Sequence, residues 1–179
     1  KKFFKIFLLF LFIIFPREIF SAEFNNKFKQ GSFILGKTKP GAKVKIDERN
    51  VLVSEDGYFA FGIDRDRKND ITIRIIKDQK LDVIVKKVFK RKYKIQRIDG
   101  LPEKKVTPPK EVYERIKREN KIIVEAREIE SELTFFTKKF INPLDKAIVT
   151  GVYGSQRILN GKPKWPHYGI DFAAKEGTK

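Results

Sequence analysis

A chain of 179 residues has room for one ordinary domain or two small ones; this one sets 40 Lys and Arg against 23 Asp and Glu, a net charge of +17, with no Cys and no Met. Without cysteine there is no disulfide framework, no thiolate nucleophile and no cysteine-ligated metal, which leaves His, Asp, Glu and Ser for any hydrolytic chemistry. The positive charge suits contact with an anionic polymer or lipid, but it is scattered through every segment and no nucleic-acid-binding signature accompanies it, so no nucleic-acid partner is expected.

Residues 1–22 read as a targeting segment. Lys1, Lys2 and Lys5 precede an unbroken apolar run over 6–15, too short to cross a bilayer comfortably as a helix but suited to the core of a secretory signal. Pro16 ends the run, and Ser21-Ala22 offers small residues for cleavage, although Phe20 or Ile19 stands where a small side chain is normally wanted. The expected location is periplasmic or cell-envelope, by the Sec route. Membrane contact is expected only through this segment, if it stays uncleaved.

Residues 28–97 alternate short apolar stretches with turn signals: Pro40-Gly41, a turn over 47–50, and Asp56-Gly57. The runs 71–76 and 81–85 flank Asp78-Gln79-Lys80, and their period of two predicts a hairpin with one buried face. Six or seven closely spaced strands predict a small immunoglobulin-like sandwich. No catalytic constellation is visible in it.

Residues 98–110 carry Gly100, Pro102, Pro108 and Pro109 among charges, the composition of an extended, poorly packed linker. Over 111–139 the period changes to threes and fours, with Val112, Ile116, Ile123, Ala126, Leu133 and Phe136 separated by charges, which predicts one long amphipathic helix. Such a helix could pack on the domain that follows, pair with another chain, or block a groove. Asn142-Pro143 marks its end.

The last segment, 140–179, holds the single histidine of the chain, His167, four positions before Asp171. Imidazole nitrogen and carboxylate oxygen are both ordinary zinc ligands, and a catalytic zinc takes three protein ligands and a water. Gly169 between them disfavours a helix and predicts a strand, on which positions four apart share a face.

The run His167, Gly169, Asp171, Phe172-Ala173-Ala174, Gly177-Thr178 resembles the first half of the active site in lysostaphin/LytM-type zinc metallopeptidases, which cleave peptide cross-links in peptidoglycan. Gly151, Gly154 and Arg157, then Asn160-Gly161-Lys162-Pro163, extend the likeness to a proteobacterial subgroup with an N-terminal β module. The resemblance covers roughly the first third of that catalytic domain and implies that 140–179 are its N-terminal part, cut short at the C-terminus. The fold class is then mainly β with one long helix: an immunoglobulin-like sandwich, the helix, and the first strands of an all-β peptidase domain. The resemblance also implies Zn2+ held by His167 and Asp171, peptidoglycan as partner, and a third ligand and a general-base histidine downstream, so no catalytic residue lies within this chain and the fragment itself should be inactive. Arg157 and Asn160 would shape the substrate groove, while Trp165 and Tyr168 are expected to pack. The alternative is a non-catalytic peptidoglycan-binding protein or amidase activator, which would have no physical need for both His167 and Asp171.

Overall fold

A computed structural model describes residues 22–107 and 109–178. The targeting segment expected over 1–22 therefore lies, but for Ala22, outside the described residues. Among those described, no helix is long and apolar enough to cross a membrane.

Seven strands build the N-terminal half: β1 (Glu23–Phe24), β2 (Phe33–Lys37), β3 (Lys43–Ile46), β4 (Arg49–Val51), β5 (Tyr58–Gly62), β6 (Ile71–Lys77) and β7 (Lys80–Lys86). They pair as two sheets, β1-β2-β5 and β4-β3-β6-β7. The chain passes from one sheet to the other after β2, β4 and β5, which gives the expected immunoglobulin-like sandwich. Alternate residues face inward, and Ile34, Val44, Ile46, Phe59, Phe61, Ile71, Ile73 and Ile75 form one continuous core. Burying side chains of this size contributes about 1.5–3 kcal/mol each. Gly57 closes the turn before β5 at φ +83°, where a Cβ would collide with the Thr38 carbonyl.

The β6–β7 hairpin turns on two residues, Asp78 and Gln79, both at positive φ, with Lys77 opposite Lys80. That register decides which side of β7 is buried. It places Asp82, Ile84 and Lys86 inward and leaves Leu81, Val83 and Val85 exposed on the outer face. The single buried face predicted for the hairpin therefore belongs to β6, and β7 turns most of its apolar set to solvent.

At the β3–β4 turn, Arg67 donates to both oxygens of Asp47, at 2.8 and 3.2 Å, and Arg74 donates to the Asp47 carbonyl at 2.6 Å. The Arg67 hydrogen bond holds the Asp47 carboxyl below its ordinary value, against a smaller opposing effect of burial. A lowered folded-state pKa contributes stability above the ordinary carboxylate range, and that contribution is lost as pH falls through the folded value. As pH falls below about 4 the wild type should lose stability that Asp47→Asn does not lose. Urea midpoints of the two proteins across that range check this; parallel curves would refute it.

Beyond the sandwich the elements are β8 (Ile95–Ile98), a helical turn α1 (Glu103–Val106), the helix α2 (Lys110–Arg127), a 3-10 turn (Phe135–Thr137), and strands β9 (Ile148–Gly151), β10 (Gln156–Leu159), β11 (Lys162–Pro163) and β12 (Asp171–Ala173). The fold is thus mainly β with one long helix, as expected. Two local expectations change. Residues 95–97, expected within the sandwich, leave it, and the expected linker is not loose: β8 runs parallel to β10, with Ile95 opposite Gln156 and Ile98 opposite Leu159, and Val106 in α1 is fully buried. Helix α2 ends at Arg127, twelve residues before the predicted end, because Glu128, Glu130 and Glu132 crowd negative charge onto the negative end of the helix dipole. Its apolar stripe is uncovered, with no residue buried along its length. After Ile75, the only buried residues among those described are Val106 and Gly154.

Candidate metal site

Strands β9 and β12 pair antiparallel with Gly151 opposite Asp171, and the register shifts between Asp171 and Phe172. His167 lies ahead of β12 in irregular chain, so the two candidate ligands do not share a strand as predicted. The backbone of His167 is claimed by another element: its N–H donates to Ser155 O at 2.8 Å, and its carbonyl accepts from Gly154 N at 2.7 Å. Those bonds hold residue 167 against the 152–155 turn and free the next three residues to bend back to the β9 ladder. The outcome is still a meeting of the two side chains.

His167 Nε2 stands 3.3 Å from Asp171 Oδ1. Nε2 is shielded from solvent and makes no hydrogen bond. Two ligands at about 2.0–2.2 Å from one tetrahedral zinc lie about 3.4 Å apart, so the pair already has the separation that a shared metal imposes. Gly151 makes the space for it. A Cβ built there would meet Asp171 Oδ2 at 2.5 Å and His167 Nε2 at 3.2 Å. The donor set thus fits one zinc ion as a partial site: one nitrogen and one carboxylate over a vacant side-chain position. Among the described residues no group of three or more His, Cys, Asp or Glu is placed to hold a metal.

The sandwich props up this arrangement from below. Arg65, 9% exposed, donates through Nε to Gly154 O at 2.8 Å, and its guanidinium lies 4.4 Å from the centroid of the Tyr93 ring. The Tyr93 hydroxyl donates back to Arg65 O at 3.1 Å. Burial raises the Tyr93 pKa, so that hydroxyl stays a donor through neutral pH. Arg65 therefore positions Gly154, and Gly154 positions His167.

The pair borders a cleft of about 580 Å³. Arg157 lines it. Asn160 does not. It occupies the Asn160-Gly161 turn between β10 and β11 at φ +46°, and its amide bonds both Leu101 N and Leu101 O, at 3.0 and 2.7 Å. Its role is to pin the chain after β8. Trp165, expected to pack, is 89% exposed on the cleft wall, and the Tyr168 ring lies tilted against the Tyr153 ring with centroids 6.1 Å apart. The contributions of Gly151, Arg65 and β8 with the Lys94 that precedes it were not read from the sequence, since each acts through a neighbour distant along the chain. No protein-family model matches this chain, and no curated protein matches it.

Proposed function

We propose that His167 and Asp171 are two ligands of a catalytic zinc in a lysostaphin/LytM-type endopeptidase that hydrolyses peptide cross-links of peptidoglycan in the cell envelope. The observation that carries this reading is the 3.3 Å approach of an unbonded, shielded Nε2 to a carboxylate oxygen above a glycine. Zinc bound there supplies a Lewis acid for the scissile carbonyl and a water of lowered pKa. The residues of this chain bind and orient. His167 and Asp171 hold the metal, Gly151 leaves room for it, and the cleft beside them receives the peptide. The third ligand and the general-base histidine come from outside these 179 residues.

The full reading frame, purified and incubated with peptidoglycan sacculi and zinc, is expected to release peptide fragments detectable by mass spectrometry. A chelator should stop the release. His167→Ala and Asp171→Ala should each slow it by more than about 100-fold, since losing even an outer-shell partner of a metal ligand costs 10- to 100-fold. Sacculi bound without any release, or release undiminished in both variants, would refute the proposal, the first outcome in favour of a non-catalytic wall-binding protein.

A further inference from the structure

The floor of the cleft is a sheet face made by two segments far apart in sequence. β8 and β10 run parallel with Gln96 opposite Arg157, and alternation puts Lys94, Gln96, Ser155 and Arg157 on the same side. All four line the cleft. Other polar groups nearby are already engaged. The Lys164 amine donates to Val106 O, Gln156 donates to Lys164 O at 2.8 Å, and Lys162 pairs with Glu103 at 2.7 Å. Lys94 and Arg157 differ: among the described residues neither side chain has a hydrogen bond or an ion pair. The single carboxylate lining the cleft, Asp171, is directed at His167.

We propose that Lys94 and Arg157 form an anion subsite on this floor and that the peptide bound in the cleft carries free carboxylates. An Arg fork takes a carboxylate through two parallel hydrogen bonds, and a Lys beside it adds a point charge of the same sign. Both sit within a concave surface, where a low-dielectric wall strengthens attraction to an anion. The metal does not cancel this bias, because a divalent cation with one carboxylate ligand leaves the site net positive. The proposal rests on reading the cleft as a peptide groove. It adds the chemistry of what is recognised there, and it gives the strand that follows the sandwich a direct part in recognition.

Trp165 is the only tryptophan of the chain and lies exposed on the cleft wall, so its emission reports occupancy without any turnover. The probe is a pentapeptide with a free glutamate side chain and a free C-terminus, compared at low salt with the same peptide fully amidated. The acidic peptide should saturate the Trp165 signal at least about tenfold more tightly than the amidated one. Lys94→Gln and Arg157→Gln should each remove about tenfold of that affinity, while Lys94→Arg retains it. No preference between the peptides, or equal affinity in wild type and both Gln variants, would overturn the subsite. His167→Ala separates the two proposals. If that variant loses zinc and keeps the carboxylate preference, the subsite stands by itself; if the wild type cleaves with zinc but prefers neither peptide, only the subsite falls.

Discussion

Gly151→Ala is expected to weaken zinc binding by roughly 10- to 100-fold, the range seen when the shell around a metal ligand is disturbed. The added methyl group would lie 2.5 Å from Asp171 Oδ2, closer than real Cβ contacts allow, and a tight 3.2 Å from His167 Nε2. The carboxylate can swing away, because Asp171 is 61% exposed at its side chain, and in doing so it leaves the position where it would share the proposed metal with His167. Stability should change by less than about 0.5 kcal/mol, as for surface substitutions away from packed features. A competition titration against a chromophoric chelator, paired with a thermal melt, measures both quantities. Wild-type affinity in Gly151→Ala would mean that the His–Asp approach is an ordinary polar contact.

Phe59→Ala should destabilise the sandwich by about 3–5 kcal/mol, a large part of the 5–15 kcal/mol available to a small domain. Phe59 has no solvent exposure, lies parallel to Phe61 with ring centroids 6.4 Å apart, and presents an edge to Phe24 at 6.2 Å. Its ring rests on Gly36, the residue opposite it across β2 and β5. A Cβ at Gly36 would lie 2.6 Å from Cε1 and Cε2 of that ring. Gly36→Ala should therefore cost about 1–3 kcal/mol through overpacking. Because the two positions touch, Gly36→Ala made in a Phe59→Leu background should cost less than in the wild type, a coupling of about 0.5–3 kcal/mol. Urea titrations of the four proteins give the cycle. Additive effects would show that the ring does not depend on the bare backbone at Gly36.

The sandwich was legible because its signals are local. Asp78 and Gln79 sit at positive φ where the sequence placed a turn, and the alternation of Ile71, Ile73 and Ile75 marks the buried face directly. The exposure of Leu81, Val83 and Val85 was not legible, since it depends on whether the turn holds two residues or three, and one residue of register reverses every side chain. Helix α2 shows the same limit. Its period continues to Phe136, but the acidic cluster after Arg127 works against the dipole and prevails. His167 and Asp171 were singled out by residue type and spacing together with the family-like motif around them. What brings them together was not, because the path runs from Arg65 through the Gly154 carbonyl to the backbone of His167. Asn160 was assigned to the groove with Arg157 for lying on the approach to the ligand pair, but its side chain sits on the tight turn after β10 and bonds the chain at Leu101.

The parallel pairing of β8 with β10 joins residues 61 positions apart, Ile95 and Gln156, with helix α2 carried entirely inside the loop that they close. The entropy of closing a flexible loop of that length is about 3.7 kcal/mol beyond a constant, and doubling it adds only about 0.6 kcal/mol more. The intervening segment is therefore nearly free to lengthen, shorten or diverge without moving the floor of the cleft, provided the ladder and the two bonds from Asn160 to Leu101 are kept. Lys94 and Arg157 stay on one face of that ladder whatever the helix between them becomes.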